Sequence, residues 1–242
     1  MSATEGGSVG THDRRGADMD EATLVSTRVA LHSMAEHLLA GDLWRRTGRV
    51  GLRRTPGGFG QPEHLVGGAR RRLRIDGTQL VVLDGDVERW EELSSPAAAA
   101  AFAGSRLGAP PDPVTPSTQL QPDEPLAVDP VAASTLADWF ELVDTALEEV
   151  RRRHHELEPT LVQLWPEHFD LAFSMSEINI GGSPGDAQHD EPYLYVGPWA
   201  PVDGASWNEP WGMSLAAGAV HCRADAVEFF EAGLSAASGT AT

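Results

Sequence analysis

Apolar side chains recur at helical spacing in two long stretches of this chain. Leu24, Val25, Leu31, Leu38, Leu39 and Leu43 fall on one arc, which predicts a helix over about 20–42 with one buried face. Gly41 reads as its stop. His32 sits in the middle of this arc, Glu36 lies at its edge one turn on, and His37 points away toward solvent. A second stripe, Leu136, Phe140, Val143, Leu147 and Val150, predicts a helix over about 131–156. Arg151, Arg152 and Arg153 suit the C-terminal end of its dipole.

Between these helices the pattern shortens to strand length. Residues 48–54, 69–75 and 78–84 read as strands, the last two separated by the hairpin signal Asp76-Gly77. Thr55 to Pro62 reads as a turn or irregular loop, and residues 86–93 either continue the sheet or turn into helix. An alanine run marks a short helix within 94–104. Residues 105–130 hold seven of the 17 prolines and form a linker or a long surface crossing. Beyond the second long helix come a strand at 168–180, a Gly/Pro turn, a strand at 192–198, a further strand within 212–221 and a helix at 223–236. Residues 1–18 are small, polar and glycine-rich, a composition that predicts disorder. Grouped rather than alternating elements imply an α+β fold, a mostly antiparallel sheet packed with two long helices and a C-terminal helix. Residues 19–242 make one such domain, or two lobes (19–104 and 131–242) joined by segment 105–130.

Composition narrows the chemistry. All 18 basic residues are arginine, which excludes Schiff-base catalysis and any lysine base. It also excludes the P-loop and kinase lysines that reach nucleotide phosphates. One cysteine, Cys222, makes no intrachain disulfide, thiolate zinc cluster or dithiol pair. Its neighbour His221 would face the other side of a strand. The first residues lack the apolar region of a secretory signal, and no apolar run is long enough to span a membrane. The expected location is the cytoplasm, and the abundance of residues with GC-rich codons suggests a bacterial source. A net charge of −18 disfavours nucleic acid. The charge is uneven, with nine arginines in 45–74 and 13 acids against one arginine in 155–242. Two halves that attract each other, or a cation site in the acidic half, would account for it. On the first of these, Arg70, Arg71, Arg72 and Arg74 oppose the acidic half.

Three motifs bear on function. Gly181-Gly182-Ser183-Pro184-Gly185 matches the G-x-S-x-G elbow of hydrolases. Proline after the serine, however, removes the N–H that would serve the oxyanion hole, and the following residues do not read as helix. His168-Phe169-Asp170 is an H-x-D that strand alternation places with His168, Asp170 and Ser174 on one face and Phe169 in the core. With His221 as a distal ligand it would match the iron triad of 2-oxoglutarate oxygenases, though the strands needed for that fold are too few. After Ser176 the alternation slips, as at a bulge. Asp186, His189, Asp190 and Glu191 crowd the turn like ligands of a hard cation or zinc. If 168–180 and 189–198 pair as a plain hairpin, His189 lies roughly 40 Å from His168 at about 3.3 Å per residue, so the two groups do not share an ion. That hairpin places Tyr193 and Tyr195 on the face of Ser174, with Trp199 level with Asp170.

From Trp165-Pro166-Glu167-His168-Phe169-Asp170 through Ser183-Pro184-Gly185-Asp186 to Glu191-Pro192-Tyr193-Leu194-Tyr195-Val196, the chain resembles a family of bacterial domains of unknown function. Their pattern runs W-P-x-H-F-D, S-P-G-D, E-P-Y-x-Y-V. The match covers about 35 residues and implies no activity.

Three function classes follow. The first is a small-molecule or metal-ion binding protein whose pocket on the C-terminal sheet uses Tyr193, Tyr195, Ser174 and Trp199 for a ligand. The second is a hydrolase or oxygenase dependent on one divalent metal ion held by His168 and Asp170, with His32 approaching from the first helix. The third is an acidic module that docks a basic partner and has no site.

Overall fold

Glu21–Met34 forms the first helix (α1). The chain continues through a π-helical turn, Ala35–Ala40, into a short helix, Gly41–Thr47 (α2), which ends on Gly48 at φ 72°. The computed structural model describes residues 20–111, 115–201, 203–204 and 206–239; the stretch 1–18 expected to be disordered lies outside them.

The leucines of the arc are buried, but two expectations are corrected here. Gly41 does not stop the helix. It sits where the backbone of residue 108 crosses, and a Cβ there would lie 2.0 Å from the Gly108 carbonyl oxygen. Nor does His37 face solvent. The π turn inserts an extra residue and rotates the arc, so that all six residues of 35–40 are buried. His37 Nε2 lies 3.1 Å from the Thr118 carbonyl oxygen.

Arg53–Thr55 (β1), Gly58–Gly60 (β2), His64–Val66 (β3), Ala69–Asp76 (β4), Gln79–Asp84 (β5) and Val87–Glu92 (β6) form the first sheet. It is antiparallel, in the order β1-β2-β4-β5-β6, with β3 also on β4. The hairpin at Asp76-Gly77 is present, and residues 86–93 do continue the sheet. Residues 55–62, expected to be irregular, contain β2. The arginines of β4 do not oppose the acidic half. Arg70 pairs with Glu63 and Asp86, Arg71 with Asp42 and Asp84, and Arg72 and Arg74 with Glu88. The nearest acids come from the same sheet and α2, because sheet pairing brings them within reach first.

Pro96–Ala103 (α3) is capped by Ser95, whose Oγ accepts from Ala98 N at 3.2 Å. The proline-rich segment then runs back across the molecule. Gly108 N donates to the His37 carbonyl, Leu126 N to that of Ser94, and Asp129 N to Thr27 Oγ1. Its described residues are tied to the rest of the molecule on both sides of 112–114.

Asp129 caps Pro130–Arg153 (α4), which buries its predicted stripe against both sheets. Gln163–Trp165 (β7), Asp170–Met175 (β8), Ile178–Ser183 (β9), Tyr193–Pro198 (β10) and Met213–Ala216 (β11) form the second sheet, all antiparallel, in the order β11-β10-β9-β8-β7. Arg223–Gly239 (α5) packs on α4 and β10.

The predicted strand 168–180 is in fact two strands. Ser176 and Glu177, at φ 49° and 62°, make a two-residue hairpin loop of the I′ kind. The slip in alternation is this turn, not a bulge. Neither turn residue is Gly, Asn or Asp, so the usual signal is missing. His168 lies in the tight turn after Trp165, not on the strand, and Phe169 is at φ 55°.

Leu171, Phe173, Ile180, Leu194 and Val196 put one face of the second sheet into a cluster of buried apolar side chains that also takes in α1, β4 and α4. Leu52 and Leu164 exchange backbone hydrogen bonds of 2.9 Å between the two sheets. Among the described residues no helix is long and apolar enough to cross a membrane.

Candidate functional site

The other face of the second sheet is polar, and it floors a cleft of about 1190 Å³. Register decides what lies there. Tyr195 pairs with Gly181 and Gly181 with Ala172; Tyr193 pairs with Ser183. Asp170, one residue before Leu171, is therefore next to Ser183 and within reach of Tyr195. Gly181 is what lets the ring of Tyr195 lie across β9. A Cβ there would sit 2.6 Å from the Tyr195 hydroxyl and 2.6 Å from the Leu171 carbonyl oxygen. The Tyr195 hydroxyl donates a short hydrogen bond to Asp170 Oδ2.

Asp170 is 6% exposed, and its Oδ1 has no hydrogen-bond partner although it is buried. Burial pushes the carboxyl up from the ordinary aspartate range, against the opposing pull of the Tyr195 hydrogen bond and the His168 ring. Burial and the adjacent carboxylate push the Tyr195 phenol well above its usual value. Glu167 Oε2 is a second buried oxygen of the cleft lining without a partner.

One wall is α1 from Val25 to Ser33, with Ser117, Thr118, Gln119 and Gln121 of the crossing segment. Glu36, at the π turn, is fully buried and anchors that segment. Its Oε1 accepts from Ser117 N at 2.6 Å and from Ser117 Oγ at 3.1 Å. Its Oε2 accepts from Thr118 N at 3.0 Å and from the Thr118 hydroxyl. Burial alone would raise this carboxyl; the hydrogen bonds from His32, Thr118 and Ser117 outweigh it and hold it at about 2. His32 stacks on Phe169, with ring centres 5.0 Å apart, and its Nε2 lies 2.8 Å from the Pro166 carbonyl oxygen. That carbonyl and the Glu36 carboxylate can only accept, so Nε2 carries the hydrogen.

The loop 184–190 forms a second wall, joined to the first by Arg28. Arg28, buried on α1, clamps it by donating to the carbonyls of Asp190 at 2.7 Å, Asp186 at 3.1 Å and Pro184 at 3.4 Å. Within the loop Asp186 is fully engaged. Its Oδ2 accepts from the Tyr193 hydroxyl at 2.6 Å, and its Oδ1 accepts from Gln188 N and His189 N at 2.7 and 2.9 Å. Trp211 meets Tyr195 edge-on, and Trp199, 63% exposed, stands at the mouth.

The structure brings His32, His168, Asp170, Tyr193, Tyr195 and Trp199 to one cleft. It does not bring Ser174, which hydrogen-bonds Asn179 at the far end of β8. Nor is Trp199 level with Asp170: its backbone N–H donates to Glu177 and its indole to Asn179. The wide separation of the 186–191 cluster from Asp170 is also overturned. With β9 turning back at Ser176, Asp186 and Asp190 line the same cleft as Asp170. His221 and Cys222 lie elsewhere, their N–H groups donating to Asp225. Ser183 is buried, and its Oγ is engaged with the backbone of Gly185. Among the described residues no group of three or more His, Cys, Asp or Glu side chains is arranged to hold a metal ion.

Sequence reasoning missed Arg28, Glu167, the Ser117–Thr118 strap and Trp211. Arg28 had a readable signal: it falls four residues after Leu24 and three before Leu31, an arginine inside an apolar arc. The strap had none, since only tertiary packing places it over Glu36. No family model, curated protein or solved structure matches the chain.

Proposed function

We propose that this protein binds a small organic molecule in the cleft between α1 and the second sheet, with Asp170 as the anchor. The observation that carries this is the bare Asp170 Oδ1. A buried carboxylate oxygen without a donor is costly and uncommon in a finished interior. A ligand that donates a hydrogen bond there removes the deficit. Enclosure on several sides, aromatic walls and a few fixed polar groups are the usual make-up of such a site. His168, Asp170, Ser183, Asp186, Tyr193 and Tyr195 line the cleft, and all fall within the stretch that resembles the bacterial domains described above. On this reading the pattern marks a common pocket.

The test is a thermal-shift screen of small molecules on the wild-type chain and on Asp170→Asn. A ligand at a hundred times its Kd stabilises by about 2.7 kcal/mol, and the variant should lose most of that gain. Hits that stabilise both proteins equally, or a screen of broad chemistry with no hit, would count against the assignment. Metal content by elemental mass spectrometry on the same samples reads out the metal-dependent alternative.

A further inference from the structure

We infer that the ligand is an organic cation, its ammonium or guanidinium group seated between Asp170 and Glu167 against the faces of Tyr193 and Tyr195. This inference rests on the small-molecule reading and adds the chemical class.

Three observations carry it. First, the two unpartnered buried oxygens of the lining, Asp170 Oδ1 and Glu167 Oε2, both belong to carboxyl groups. An ionised carboxylate can only accept, so the missing partners are N–H or O–H donors. Second, four carboxylates line the cleft against one arginine. That arginine, Arg28, directs its N–H groups at backbone carbonyls of the 184–190 loop. An anion entering the cleft would meet repulsion, whereas a cation is drawn in by the cleft and by the net charge of −18. Third, Tyr193, Tyr195 and Trp211 supply aromatic faces, which attract cations through their quadrupoles.

A bare divalent metal ion fits the same groups poorly. Calcium gathers about six to eight oxygens and magnesium about six, and zinc about four nitrogen, sulfur or oxygen ligands. Both oxygens of Asp186 are already engaged by Tyr193, Gln188 and His189. Asp170 Oδ2 is engaged by Tyr195. The two buried open acceptors, Asp170 Oδ1 and Glu167 Oε2, suit a group with two or more N–H bonds, and the size of the cleft leaves room for an organic body behind it.

The experiment uses three probes of one shape, phenethylammonium, 2-phenylethanol and phenylacetate, with agmatine as a guanidinium probe. Each is titrated in low-salt buffer into the full chain by calorimetry, with tryptophan fluorescence reporting on the mouth. The expected result is that the two cations bind about tenfold or more tighter than the alcohol and the carboxylate, the worth of a charge-assisted hydrogen bond. Asp170→Asn should erase the preference, and Glu167→Gln should reduce it; circular dichroism checks that each variant is folded. If the alcohol or the carboxylate binds as well as phenethylammonium, and Asp170→Asn weakens it, the cleft binds small molecules but the cation inference fails. If none of the four probes binds the wild-type chain, both readings fail.

Discussion

The Tyr195–Asp170 pair shows how much one hydrogen bond can decide. The phenol donates a hydrogen bond to a buried carboxyl whose other oxygen has no partner. Tyr195→Phe removes the side-chain donor to that carboxyl, so the expected cost is roughly 1–3 kcal/mol at neutral pH. Because burial raises the carboxyl in the folded state, the native protein holds its proton to higher pH than the unfolded chain does. The native state then binds more protons, and stability falls as pH rises from the unfolded value to the raised folded one. Removing the phenol raises the folded value further. The groups that act on this titration are Tyr195 and Tyr193 on β10, and Glu167 and His168 in the turn. Urea unfolding of wild type and Tyr195→Phe from pH 3 to 8 should therefore show a gap that widens with pH. A gap that stays constant across this range would mean that the phenol does not act on the titration of Asp170.

Among elements, the helix interrupted by a π turn and the strap over it act as one unit. The π turn brings Glu36 inward, and the carboxylate there receives two consecutive backbone N–H groups, those of Ser117 and Thr118. This carboxyl is held near 2 against an ordinary value of 4.5. A carboxyl depressed on folding adds stability above its unfolded pKa, and that stability is lost as pH falls through the folded one. The shift corresponds to about 3 kcal/mol, present at neutral pH and lost between about pH 4.5 and about pH 2. A Glu36→Gln amide has one accepting oxygen for these donors and turns an NH₂ group toward the rest. It should destabilise the protein at pH 7, and the difference from wild type should shrink through that acid window. Hydrogen exchange at Ser117 and Thr118 should speed up in the variant. Unchanged exchange at these two amides would show that the strap is held by its other contacts.

Over the whole molecule, the two sheets share one cluster of buried apolar side chains. Their edges are joined by the Leu52–Leu164 hydrogen bonds. Arg54 of the first sheet pairs with Asp144 of α4 at 3.1 Å, and the Trp139 indole of α4 donates to the Ser183 carbonyl at 2.8 Å. Described residues of segment 105–130 hydrogen-bond to α1, α2 and α3. Such shared burial predicts one cooperative unfolding transition. Differential scanning calorimetry should give a single peak with equal calorimetric and van't Hoff enthalpies. Two separable peaks would favour the division into lobes 19–104 and 131–242.

Local signals determined much of this protein. The two long helices, the Asp76-Gly77 hairpin, the final helix and the α+β class all follow from side-chain period and turn chemistry, which act between residues a few positions apart. The same period placed Phe169 in the core, and Tyr193 and Tyr195 on a polar face with Asp170. Only tertiary structure decided the rest. The Ser176-Glu177 turn carries no glycine, so the fold of β8 onto β9 was hidden. With it went the position of Trp199 and the nearness of Asp186 to Asp170. The π turn that buries Glu36 and His37, the reach of Arg28 across the cleft and the strap at Ser117 each join residues far apart in the chain. Their geometry comes from packing, which depends on every element at once and leaves no mark in a local window.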